Sequence, residues 1–186
     1  KDTDGNGTIT SDDRQVIATP EPKFFGGWTN TFTYKNLSLS FLMQFSCGGE
    51  AVYSNLGEEI SGVLGQSVGR ELYGNTWTPE RTDAKYARLV AGTMSYNYMA
   101  NDRFVFDTSY LRMKNITLSY SLPKAWINKL YLSNASLFVT ATNLFTITQW
   151  PGLDPETVAT GITSMGTNND PYPLSRSFSL GVKLQF

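Results

Sequence analysis

The residues with the clearest capacity for chemistry stand at the start of the chain. Asp2-Thr3-Asp4-Gly5-Asn6-Gly7-Thr8-Ile9-Thr10-Ser11-Asp12-Asp13 follows the twelve-residue pattern of a calcium-binding loop. Asp2, Asp4 and Asn6 occupy positions one, three and five with side-chain oxygens, Thr8 offers its backbone carbonyl at seven, and Asp13 closes the set at twelve. Gly7 takes the sharp turn at six, and Ile9 follows as an apolar anchor. A hard divalent cation needs hard oxygen donors converging from alternate positions of a turning backbone, and this order supplies them. Asp13 is one methylene shorter than the usual Glu at the last position, and a metal-free acidic turn has the same composition. The expectation is a structural calcium ion held by Asp2, Asp4, Asn6, Thr8 and Asp13.

Other chemistry is thin. Histidine is absent, which removes Ser-His-Asp and Cys-His catalysis and any zinc site built on imidazole. The single cysteine, Cys47, has no partner in the chain for a disulfide or a Cys-rich metal site. Glu58 and Glu59 adjoin, and Asp154 and Glu156 flank a turn-forming proline, so both pairs read as solvated charge. Trp150-Pro151-Gly152 marks a loop, its indole read as ordinary packing. No catalytic and no cofactor-binding residue is expected, hence no enzyme. Fifteen basic against 16 acidic residues give a net charge of -1, which excludes the basic footprint of a nucleic-acid binder.

The elements that would carry such a loop are strands. Leu37, Leu39, Phe41, Met43 and Phe45 alternate with mostly polar residues, and Phe178, Leu180, Val182, Leu184 and Phe186 do so near the end. Ile116, Leu118, Tyr120 and Leu122 form a third set, Leu137, Val139 and Ala141 a fourth, and Trp28, Phe32 and Tyr34 a fifth. Period two puts one apolar and one polar face on each segment, so about five strands are expected. No apolar run reaches the roughly 18 residues of a spanning helix, but strands cross membranes without one.

Connection lengths alternate between short and long. Lys35-Asn36 and the stretch from Pro123 to Asn134 are short; Gly48–Ser109 and Thr146–Arg176 are long. Outer-membrane barrels pair tight periplasmic turns with long extracellular loops. This gives an extracellular calcium-loop-like segment over 1–22 and barrel strands over 23–186, with extracellular loops 48–109 and 146–176. Trp28, Tyr34, Tyr120 and Trp126 are candidates for interfacial girdles. Leu56, Ile60, Val63, Leu64, Val68 and Leu72 have helical spacing and suggest a packed loop helix. The competing architecture is a soluble calcium-binding β-module of a secreted or surface protein, whose apolar faces would form a dry core. The chain opens without Met and closes on a patterned segment, as a piece of a longer polypeptide would.

The motifs run in an order that resembles a known family. Asp4-Gly5-Asn6-Gly7 is followed by Asp13-Arg14-Gln15-Val16-Ile17 and Pro20-Glu21-Pro22-Lys23-Phe24, then Trp77-Thr78-Pro79-Glu80. Ser109-Tyr110-Leu111-Arg112-Met113-Lys114-Asn115-Ile116 precedes Tyr120-Ser121-Leu122-Pro123. Asn143-Leu144-Phe145 closes strand four, Gly152-Leu153-Asp154-Pro155-Glu156 follows, and Tyr172-Pro173 with Arg176-Ser177-Phe178 leads into the last strand. Together these resemble the C-terminal part of the SusC/RagA family of TonB-dependent outer-membrane transporters of the Bacteroidetes. The resemblance implies the C-terminal strands of a large transmembrane antiparallel β-barrel in the outer membrane of a Gram-negative bacterium. It further implies import of glycans or peptides with a SusD-like surface lipoprotein as partner. Energy would come from TonB through a plug and TonB box that have no counterpart in these residues.

Overall fold

The computed structural model describes residues 2–8, 10–53, 69–88, 102–158, 167–168 and 172–186. In chain order the strands are β1 (Phe24–Tyr34), β2 (Leu37–Cys47), β3 (Glu50–Tyr53), β4 (Val105–Asp107), β5 (Tyr110–Ser121), β6 (Asn134–Thr142), β7 (Thr146–Thr148), β8 (Thr167–Asn168) and β9 (Ser177–Gln185). One short helix, α1 (Lys124–Ile127), lies between β5 and β6. The main sheet has the order β1-β2-β5-β6-β9, each neighbour antiparallel, with β7 also on β5. These are the five strands the alternation predicts, in the order of an up-and-down meander. A smaller sheet, β4-β3-β8, forms within the long connections.

Register places all the apolar sets on one face. Trp28 opposes Met43, Phe32 opposes Leu39, Leu39 opposes Leu118, Leu118 opposes Val139, and Val139 opposes Leu180. Residues directly opposite share a face of the sheet, so this is a continuous apolar surface. Nothing among the described residues covers it. Leu180 is 79% exposed, and Leu37, Phe178 and Val182 are also open to the surroundings. Leu39 and Phe41 are half-buried among their neighbours, Phe41 meeting Trp28 edge-on at 5.5 Å between centroids. Among the described residues no dry core forms over these side chains, as the soluble module would require. Buried apolar side chains lie instead mostly around the long connections, as in the cluster of Ala51, Tyr53 and Trp150.

The opposite face is lined by hydroxyls. Thr31 donates to Ser40 at 3.1 Å, Thr117 and Thr140 bond at 2.9 Å, and Thr142 meets Ser177. Phe138 lies over Gly181, where an added Cβ would come within 2.2 Å of the ring. The glycine therefore makes room for the one large ring on that part of the polar face, a known way of protecting a strand glycine.

Two boundaries differ from expectation, and both trace to one place. Strand three is expected from Ile116 but β5 begins at Tyr110. The pairing of β2 with β5 slips between Leu42 and Met43, which face Asn115 and Met113, and Lys114 is the extra residue. A bulge reverses the phase of alternation, so the apolar set reads Leu111, Met113 before it and Ile116, Leu118 after it. Asn143-Leu144-Phe145, read as the end of strand four, is a kink within a longer strand. Asn143 has φ +49°, its N–H donates to Lys114 O, and pairing with β5 resumes through β7. Trp28, read as a strand-end aromatic, lies well inside β1. Of the helically spaced set in the loop, all but Leu72 lie outside the described residues; Leu72 is buried against Phe104 in a 3-10 turn.

The two faces predict opposite tolerance to charge. In the full-length protein reconstituted in bilayers, Leu180→Arg is expected to destabilise folding by about 2–4 kcal/mol. Ser179→Arg, on the hydroxyl face, is expected to cost well under half of that. Denaturant titration followed by heat-dependent gel mobility measures both.

Candidate functional site

The Asp2–Asp13 segment folds as a closed loop tied by its own carboxylates. Asp2 accepts from Gly5 N–H at 2.7 Å and Gly7 N–H at 2.8 Å, and Asp4 accepts from Asn6 N–H at 3.0 Å. Gly5 and Gly7 take φ of +76° and +83°, which lets those amides turn inward at no steric cost. Thr8 donates both its N–H, at 2.8 Å, and its hydroxyl, at 2.9 Å, to Asn6 Oδ1. Asp13 closes the loop: Oδ1 accepts from Thr3 N–H at 2.6 Å and Oδ2 from Thr10 N–H at 2.7 Å. The second bond also makes Asp13 half of a capping box on the 3-10 turn Ser11–Asp13. The Thr10 and Thr3 amides hold the Asp13 carboxyl down at about 2, and those of Gly7 and Gly5 lower Asp2.

Of the five expected ligands, the structure gathers Asp2, Asp4 and Asp13, one oxygen of each lying within 4.8 Å of the others. Oxygens bound to calcium at 2.3–2.6 Å are separated by at most about twice that distance, so the trio has the right spread. Asn6 and Thr8 sit in the same loop, bonded to each other. The donor set fits a hard cation.

A second cluster was not expected. Arg112 and Lys114 come from β5 at the bulge, and Asp154 and Glu156 from the Gly152–Glu156 segment. Arg112 Nη2 meets Asp154 Oδ1 at 2.6 Å, and its Nη1 meets Glu156 Oε2 at 2.5 Å. Nε donates to Thr146 Oγ1 at 2.8 Å, while Lys114 Nζ takes the other Glu156 oxygen at 2.5 Å. Arg112 is 3% exposed and Asp154 2%, so the reading of these carboxylates as solvated is corrected. Arg112 faces Gln44 and so shares the hydroxyl face; an unpaired cation there would be buried at high cost. A planar guanidinium with five donors suits two carboxylates spaced one residue apart. Two cations at i and i+2 within an acid-free strand, answered by Asp-x-Glu, was the signal in the sequence.

Asp154 also organises its surroundings. Oδ1 caps the 3-10 turn Pro155–Thr157 through Glu156 N–H at 3.0 Å, and Oδ2 accepts from Leu174 N–H at 3.1 Å. Burial pushes its carboxyl up, but the Arg112 bond and these two amides outweigh that and leave it below the ordinary value. Four residues earlier Trp150 is buried as expected, edge-on to Tyr53 at 5.6 Å and Phe106 at 6.3 Å. The connection after β7 is thus fixed to the polar sheet face by charge and to the small sheet by aromatic packing. Cys47 is free, and Glu58 and Glu59 lie outside the described residues.

No family model matches the chain. TonB-dependent receptor P3 of Formosa agariphila is 33% identical over 191 residues, covering 100% of this chain and 18% of its own length. TonB-dependent receptor SusC of Bacteroides thetaiotaomicron is 32% identical over 187 residues, covering 100% of this chain and 17% of its own. Among solved structures, the RagAB peptide importer in its "open-open" state superimposes with a TM-score of 0.77 at 22% identity, over 96% of this chain and 19% of that one. Its "closed-closed" state gives 0.77 at 23% identity, over 100% and 20%. The chain spans less than a fifth of the length of these curated relatives.

The cluster predicts a local unfolding. Arg112→Leu leaves two carboxylates without their main partner and is expected to destabilise the 149–158 segment by about 3–5 kcal/mol. Lys114→Gln, removing the more exposed pair, is expected to cost under about 1 kcal/mol. Because Asp154 is lowered in the folded state, its contribution is complete above about pH 4 and lost as pH falls through its folded value. Hydrogen exchange of residues 149–158, read by mass spectrometry, checks both the variants and the acid release.

Proposed function

The chain belongs to the SusC/RagA-type TonB-dependent receptors, as one stretch of such a protein, and we propose that it forms part of the barrel wall through which a complete receptor imports glycans or peptides across an outer membrane. The observation that carries this reading is the five-stranded antiparallel meander with one face predominantly apolar and uncovered by the described residues and the other lined by hydroxyls. Only a hydrocarbon surround makes such a face favourable over its whole width. The work is passage rather than bond making, so the chain supplies wall, rim and loops and no nucleophile. A SusD-like surface lipoprotein would sit over the end that carries the long connections, and TonB would act through a part of the receptor other than this one. Similarity to receptors throughout the chain, and to a peptide importer in fold, supports import as the activity.

The same reading places the long connections outside the cell and the short turns in the periplasm. Amine- and carboxyl-directed labels applied to intact cells carrying the full-length receptor should modify the 69–88 segment and spare Lys124; the reverse pattern would overturn the orientation. Deleting the receptor, or TonB, should abolish uptake of the oligosaccharides or oligopeptides that the parent cells accumulate. Uptake that persists in both deletions would overturn the function.

Calcium belongs to this proposal. Asp2, Asp4 and Asp13, with Asn6 and the Thr8 carbonyl, would hold one ion that pins the segment ahead of β1. With Asp at the last position, affinity near the 10⁻⁴–10⁻³ M range of extracellular modules is expected. Calorimetric titration of the metal-stripped receptor measures it; Asp4→Asn should weaken binding at least tenfold. Absence of a calcium signal up to about 10 mM in the parent would reduce the motif to a turn.

A further inference from the structure

We propose that the short-turn rim of this sheet binds the phosphate headgroup of an anionic phospholipid through Lys35, Lys124 and Lys129. The inference rests on the membrane orientation proposed above. All 16 carboxylate side chains lie within residues 2–22, 50–107 and 154–170, and none within 23–49, 108–153 or 171–186. The short-turn end is therefore built without a single acidic side chain. It does carry cations: Lys35 in the β1–β2 turn, and Lys124 and Lys129 in the connection from β5 to β6. The two turns are neighbours, since Asn36 Nδ2 donates to Ser121 O and Ser121 N–H to Asn36 O, both at 2.8 Å. None of the three lysines is in an ion pair among the described residues.

Three ammonium groups with no internal counterion repel one another, and an external anion relieves that repulsion. Geometry and surroundings select the anion. Lys35 lies over the Tyr34 ring at 5.3 Å, and Tyr34 opposes Leu37 on the exposed apolar face, so this cation stands at the edge of the hydrocarbon-facing surface. Lys35 holds φ +52° to do so, a conformation that glycine would take without strain. Trp126 and Tyr131 beside the other lysines are exposed, at 60% and 94%, and such rings favour the headgroup level. A cleft of about 680 Å³ opens between Lys35 and Lys124, with Asn36, Ser133 and Asn134 as further polar lining. Phosphate at the margin of hydrocarbon is what a phospholipid presents. Nucleic acid or an acidic protein would bring charge without the acyl chain that the adjacent apolar face accepts.

Each lysine near an anionic lipid surface is worth about fivefold in partition, so the three together should give on the order of 100-fold. The test uses the full-length receptor in mild detergent with phosphatidylglycerol, phosphatidylcholine or lipopolysaccharide, counting bound lipid by native mass spectrometry. Phosphatidylglycerol is expected to bind in preference to phosphatidylcholine, to weaken on the order of 100-fold in K35Q/K124Q/K129Q, and to return in the arginine triple variant. Retention should also fall steeply between about 0.05 and 0.5 M salt in the parent protein, which needs no variant to fold. Equal binding of phosphatidylglycerol and phosphatidylcholine, preference for lipopolysaccharide, or salt-independent retention would each overturn the proposal while leaving the barrel in place. An unchanged triple variant would overturn it too.

Discussion

A peptide group in hydrocarbon has no water to bond with, and this one constraint governs the chain. It requires that each strand be paired along its length, and the main sheet meets it by linking neighbours in chain order from β1 to β9. It also explains why the irregularities remain bonded. At Lys114 and at Asn143 the chain departs from regular pleating, yet the Asn143 and Leu144 amides still find the carbonyls of Lys114 and Met113. Among the described residues, the outer edges of β1 and β9 are where the main sheet leaves the requirement open. A closed barrel would meet it with strands from elsewhere in the receptor.

The sequence announced the strands because period-two alternation is the direct imprint of having unlike solvents on the two faces. Phe178 to Phe186 and Leu37 to Phe45 could be read almost residue by residue. What stayed hidden is what breaks a period. A bulge at Lys114 inverts the phase, so Leu111 and Met113 look misplaced until the pairing is known. Asn143-Leu144-Phe145 looks like an ending because a positive φ and an ending use the same residues. The calcium-type loop was legible in its residue types, and the structure brings Asp2, Asp4 and Asp13 together. The Arg112–Asp154 pair was not, because its partners lie 42 residues apart and Asp-Pro-Glu has the composition of an exposed turn.

Charge is distributed by the same logic. No strand of the main sheet carries a carboxylate, and its only ions are Arg112, Lys114 and Lys183, all basic. At Arg112 and Lys114, on the polar face of β5, the nearest connection folds back to neutralise the two cations. The long connection therefore owes its position to the wall. In turn Trp150, anchored beside that contact, draws β3 and β4 into the same unit through Tyr53 and Phe106. The small sheet and the connection after β7 are thus held by a lattice of contacts with one ionic root.

The bulge at Lys114 and the kink at Asn143 meet across one hydrogen bond and so lie at one height. The bulge bends its strand and increases the local twist, and the positive φ of Asn143 turns the neighbouring strand at the same level. A crease at a single level makes the mouth a different curve from the trunk below it, and that curve is written in the backbone. Side chains on the connections can then change in chemistry without touching the backbone pairing that sets this crease.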